Sequence, residues 1–281
     1  MKITYQNNSD TYYIMCFLAL MVILVSAPVY SQENAADFDP LNFSGDWERE
    51  TGIIAFANVP GASRSPANVP MPDQGSTKEP PFTEEGRRIY LENMPGYGPN
   101  RREFERNDPI GRCEPAGIPR NLIVEIIEPH DTFEIVQMDD RIFQFFEYRH
   151  DWREIWMDGR ELPTLEETWP KWSGSSVGRF EGNTLIVESI GFDGRTWLDK
   201  FGNPHTEEMR LEERYRLQDA NTLELTITVI DPAIYTEPWV SDTKIYSLNR
   251  DRYHEWDEQI YCIPADEFAL QDLYGTGNMV E

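Results

Sequence analysis

Residues 209–231 read MRLEERYRLQDANTLELTITVID. In 209–217, Met209, Leu211, Tyr215 and Leu217 alternate with Arg210, Glu212, Arg214 and Arg216. Successive side chains of a strand point to opposite faces, so this period of two marks a strand with one buried and one solvated side. Asp219-Ala220-Asn221 is a turn of the right length, and TLELTITVID continues as the returning strand.

Working outward, the same pattern recurs. LIVEIIE, TFEIVQM, RIFQFFEY and WREIWM follow from residue 122, with breaks at His130-Asp131 and Asp139-Asp140. After a loop rich in Pro, Trp and Gly at 163–174 come SVGRF and TLIVESI, joined by Glu181-Gly182-Asn183, and WVSDTKIYSL follows the central pair. With FSGDWERE at 43–50, this predicts about ten strands and almost no helical periodicity. Closing such strands on themselves removes the exposed edges. The expected fold is all-β: an antiparallel up-and-down barrel in a single domain over 32–281. One helix is expected near 84–93, where Thr83 caps and Glu84-Glu85 fill the first turn. Residues 58–81, with six prolines, and residues 95–121 read as long loops, the second a covering one.

The segment before the barrel reads as a signal peptide over 1–31. Ile14–Pro28 is uncharged and apolar, short for a membrane span but right for a secretory core, and cleavage after Ser31 leaves a chain starting at Gln32. The alternative is an uncleaved anchor. Bacterial export, to the periplasm or beyond, is the expectation. Of the three cysteines, Cys113 and Cys262 then remain, and an oxidising compartment lets them pair. A bridge over so long a loop stabilises by roughly 4–5 kcal/mol in the entropic treatment.

Composition narrows the function. The 281 residues carry 25 basic and 50 acidic side chains, a formal charge of −25, without a basic run. Nucleic acid and anionic membrane surfaces are expected to be repelled. The acidity reads as solubility, with attraction of Ca²⁺ to acidic loops as the sharper alternative. No metal-ligand spacing, phosphate-binding glycine loop, dinucleotide fingerprint or nucleophile elbow occurs, so no cofactor is expected.

Asn42-Phe43 followed by Gly45-x-Trp47 resembles the opening of lipocalin-type barrels, in which the Trp plugs the closed end. GRFEGNTLIVESIGF (178–192), TWLDKFGNPHTEEMRLEERYR (196–216) and DPAIYTEPW (231–239), with NDPIGRCEPAGIPR (107–120) and WREIWMDGRELP (152–163), resemble a family of uncharacterised secreted bacterial proteins. Phe180 stands where that family commonly has Trp. The resemblance implies export and a barrel, and no particular chemistry.

Chemistry is sought in polar residues that interrupt apolar faces. Glu213 interrupts 209–217; its partners by residue type include Arg153 and His205. Glu147 falls with Phe143 and Phe145, Glu154 with Trp152 and Trp156, and Glu188 with Ile186 and Ile190. His205, in the loop before the Glu213 strand and near Asp199 and Trp197, forms with Glu213 a candidate acid–base pair. Trp152, Arg153, Trp156, Glu147, Tyr215 and Trp197 are the candidate ligand-binding residues. The leading expectation is a secreted lipocalin-like barrel holding a small, partly apolar ligand in an aromatic-lined cavity. The alternatives are a barrel isomerase, dehydratase or hydrolase using Glu213 and His205, and a structural envelope protein with a filled core.

Overall fold

The computed structural model describes residues 38–49, 56–57, 80–93, 108–123, 132–199 and 201–250. The signal segment, most of the 58–81 loop and Cys262 lie outside them. The chain divides into two units, Met1–Phe38 and Asp39–Glu281, and the barrel belongs to the second. Among the described residues no helix is long and apolar enough to cross a membrane.

Among the described residues ten strands form the sheet: β1 (Gly45–Arg49), β2 (Thr132–Gln137), β3 (Arg141–Phe146), β4 (Trp152–Trp156), β5 (Ser175–Glu181), β6 (Thr184–Ile190), β7 (Arg210–Asp219), β8 (Thr222–Ile230), β9 (Trp239–Val240) and β10 (Lys244–Leu248). Neighbours run β10-β1-β2-β3-β4-β5-β6-β7-β8, and β10 also pairs with β8, which closes nine strands into a barrel. The tenth, β9, lies on the far end of β8 through Thr228 and Val229. WVSDTKIYSL therefore forms two strands, because Ser241–Thr243 interrupts the ladder.

The barrel is antiparallel with one exception. β4 and β5 are parallel and pair only through Ile155–Ser176 and Trp156–Val177. Parallel neighbours cannot be joined by a hairpin, and residues 157–174 supply the long return. Gly174 lets that return enter β5. Its φ is +66°, and a Cβ there would lie 2.8 Å from the Ile190 carbonyl oxygen.

Alternation decides what faces inward. In β8, Leu223, Leu225, Ile227 and Val229 are buried between half-buried neighbours. With Trp47, Phe133, Ile142, Ile155, Leu185 and Tyr246 they belong to one contiguous hydrophobic cluster. In β6 the buried, inward set is Leu185, Val187 and Ser189; Glu188 faces out and pairs with Arg179 and, at 3.9 Å, Arg210. The sharing of a face between Glu188, Ile186 and Ile190 is thus a face directed away from the lumen.

Among the described residues there are two α-helices. α1 (Glu84–Asn93) starts where the Thr83 hydroxyl accepts the Gly86 amide at 2.9 Å. It sits tightly on the turn after β8: the Thr83 amide donates to the Ile234 carbonyl at 2.8 Å, and a Cβ on Gly86 would fall 2.2 Å from that oxygen. α2 (Arg120–Ile123) corrects the sequence reading, because Leu122 and Ile123 are helical rather than the start of a strand. A short apolar run fits either state, and here a buried ion pair decides it. Arg120 donates to both carboxylate oxygens of buried Asp108, at 2.8 and 2.7 Å. Asp108 also caps the 3₁₀ turn Pro109–Arg112.

Cys113 closes that turn with φ +62°. Its expected partner, Cys262, lies outside the described residues, so the pairing is a proposal. Thiol labelling of the unreduced, denatured protein tests it: no reactive Cys113 or Cys262 is expected, and two free thiols contradict it.

Candidate functional site

Glu213 is fully buried on the inward face of β7. Of the partners open to it in the sequence, the fold brings Arg153, from the inward face of β4. The Arg153 Nη1 donates to Oε1 at 2.7 Å and Nη2 to Oε2. Tyr215, two residues along the same face, donates its hydroxyl to Oε2 at 2.5 Å. The Arg153 Nε donates to the Gln144 Oε1 at 2.5 Å, and the Gln144 amide reaches the Tyr215 oxygen at 3.3 Å. Gln144 was not singled out in the sequence, although it stands between Ile142 and Phe146 on the buried face of β3. Burial works against the Arg153 charge, but the facing carboxylate more than offsets it and holds the pKa above the ordinary value. Burial, then the Glu213 charge, pushes the Tyr215 phenol well up.

His205 is elsewhere. Its Nε2 lies 2.6 Å from the Thr196 hydroxyl, its Nδ1 lies 3.0 Å from the Thr206 carbonyl, and its ring meets the edge of Phe192. No hydrogen bond joins it to Glu213. Nor does Asp199 pair with it: that buried carboxylate accepts the Phe56 and Phe201 amides, both at 2.9 Å, and the Asn203 side chain. Burial pushes the Asp199 carboxyl up and the His205 imidazole down. A depressed histidine gives stability that is present above about pH 6.5, the unfolded value, and is lost as pH falls toward the folded one. His205→Gln should remove up to about 1.4 kcal/mol per pH unit of that loss. Urea midpoints of both proteins from pH 7 to pH 5 check this; equal slopes contradict it.

Phe143 and Phe145 of β3 and Trp152 and Trp156 of β4 are on the outside. Phe143 and Phe145 are half-buried, Trp152 is 57% exposed, and Phe143 lies 5.9 Å from Trp152. Glu154, on the same outer face, pairs with Arg141 at 2.7 Å. Trp156 carries the Arg141 and Arg160 guanidinium groups at 4.0 and 3.6 Å from its ring centre. The face shared by Glu154, Trp152 and Trp156 is therefore the outer one. Glu147 is buried, but past the end of β3, where it accepts the Thr132 hydroxyl at 2.8 Å. Trp197 is buried under Arg120.

A cavity of about 660 Å³ opens where β4 and β5 part. Beyond Ile155 the parallel ladder stops, and Trp152–Glu154 stand apart from Ser173–Ser175. The walls include Trp152, Trp156 and Trp172, with Arg153 and Ser176 from the inward faces. Of the six residues expected to bind ligand, Trp152, Arg153 and Trp156 line this cleft; Glu147, Tyr215 and Trp197 are not among its lining residues. Glu213 holds Arg153 in place from behind.

One end of the cleft is built on a strained turn. Arg149 and His150 both have left-handed backbones, at φ 62° and 55°, costing about 1–2 kcal/mol per residue. The turn brings His150 and Asp151 to the cavity wall. No well-formed hydrogen bond reaches the buried Oδ2 of Asp151. Burial raises its pKa, against the pull of Arg149 and the Asn121 amide. On the other side Lys171 donates to the Ser175 hydroxyl at 2.9 Å and has no carboxylate within 4 Å among the described residues. Its ammonium lies 5.5 Å from the Trp169 ring centre. Lys171 and Asp151 sit in loops or at strand ends, where no periodicity marks them.

Among the described residues no group of three or more His, Cys, Asp or Glu side chains is arranged to hold a metal ion. No family model, curated protein or solved structure matches the chain.

Proposed function

We propose that this barrel binds a small, partly apolar molecule in the cleft between β4 and β5. The cavity itself carries the reading. At about 660 Å³ it falls in the range of small-molecule sites, and it combines indole walls with a few polar groups. The lumen is less suited, since its inward faces merge into the hydrophobic cluster and the Arg153–Glu213–Tyr215 network. Acid–base catalysis by Glu213 and His205 draws no support from their placement, because each is bonded to other groups.

The acidic balance favours neither nucleic acid nor an anionic membrane as partner. The apolar segment at 14–28 and the resemblance to secreted bacterial proteins support export, with the cleft then facing the periplasm or the outside.

The test uses 1-anilinonaphthalene-8-sulfonate as an amphipathic probe, titrated into the folded protein. Saturable binding is expected, weakened at least tenfold (about 1.4 kcal/mol) by Trp172→Ala, a loss in line with removal of a stacking ring. Binding that ignores this substitution places the probe elsewhere and overturns the reading.

A further inference from the structure

We propose that the cleft is a carbohydrate site, in which a sugar ring lies against Trp152 and Trp172 while its hydroxyls engage Asp151 and Lys171. The inference rests on the reading of the cleft as the ligand seat and names the ligand class.

Four tryptophans meet around one opening. Trp152, Trp156 and Trp172 line it, and Trp169 stands beside Lys171 at its rim. Trp152 is 57% and Trp169 71% exposed. Core packing does not account for such exposure of the largest side chain. The faces of Trp156 already carry two guanidinium groups, and Arg195 lies 4.3 Å from the Trp172 ring centre. Trp152 has only the tilted ring of Phe143 beside it among these stacking contacts.

The polar lining then selects among ligands with an apolar face. Asp151 brings a carboxylate to the cleft wall, and Lys171 a donor with only a hydroxyl. A hydrocarbon would strip water from the Lys171 ammonium and return nothing. A polyanion would meet Asp151, Glu154 and Glu161, and a simple cation would meet Arg160 and Lys171. A hydroxyl donates and accepts at once, so a neutral polyol serves both ends of the cleft. A pyranose ring adds a face of C–H bonds, which suits the electron-rich face of an indole. Cyclic polyols without such a face, or planar aromatics without hydroxyls, satisfy only half of the lining.

The experiment presents the purified full-length protein to an array of hexose- and N-acetylhexosamine-containing glycans. Retention on at least one glycan class is expected, reduced at least tenfold by both Trp152→Ala and Trp172→Ala in proteins with unchanged far-ultraviolet circular dichroism. Because Trp152 is largely exposed, its loss should leave the barrel folded, which keeps the test open if Trp172→Ala unfolds. Retention unaffected by Trp152→Ala overturns the assignment. Absence of retention, while 1-anilinonaphthalene-8-sulfonate still binds in a Trp172-dependent manner, overturns the carbohydrate class and leaves the cleft as the ligand seat. Failure of both probes overturns both.

Discussion

Glu213→Ala should lower the unfolding free energy by about 3–5 kcal/mol, the cost of leaving a buried charge without its partner. Arg153 and Glu213 are almost completely shielded from solvent, with side-chain exposures of 2% and 0%. Removing the carboxylate leaves the guanidinium with Gln144 and the Tyr215 hydroxyl, and takes away the acceptor of the Tyr215 proton. The pair itself is worth much less than its breakage suggests, because both charges were desolvated to form it. Arg153→Met combined with Glu213→Leu should therefore cost well under the sum of the single changes. Urea unfolding of the four proteins measures this cycle. A cost below about 1 kcal/mol for Glu213→Ala would mean that solvent reaches the pair.

Trp47→Ala should cost a similar amount, about 3–5 kcal/mol, by a different route. Trp47 lies on β1, the strand that joins β10 to β2 and so helps close the barrel; it stands opposite Leu248 on one side and Phe133 on the other. It is 1% exposed, and its indole donates to the Phe43 carbonyl at 3.0 Å. Truncation leaves a void among Trp47's neighbours and an unpaired carbonyl. Thermal melts of the wild type and Trp47→Ala check the expectation. A change of only a degree or two would show that the closing strands do not depend on this side chain.

Much of the barrel is legible because half-buried antiparallel strands write a period of two into the sequence. The β7 and β8 segments alternate almost without exception, and the one exception, Glu213, is explained by a partner 60 residues away. α1 is legible through Thr83 and the two acids that follow it. The parallel seam is not. Nothing in 157–174 announces that Ser176 returns beside Ile155, because a crossover carries no periodicity. The outer aromatic face misleads for a related reason: Phe143, Phe145, Trp152 and Trp156 look like an inward stripe, while Ile142, Gln144, Arg153 and Ile155 actually face the lumen. Polar Gln144 and charged Arg153 weaken the inward signal because they satisfy each other. The cleft is a product of the seam, so the residues that line it from 171–174 could not be grouped with those of β4 before the fold was known.

Native mass spectrometry of the protein recovered from cells that export it addresses the cleft most directly, paired with Trp172→Ala from the same cells. The account predicts a non-covalent adduct of small mass on the wild type that is absent or strongly depleted on the folded variant. An identical adduct on both proteins, or a wild type that carries none, would contradict it.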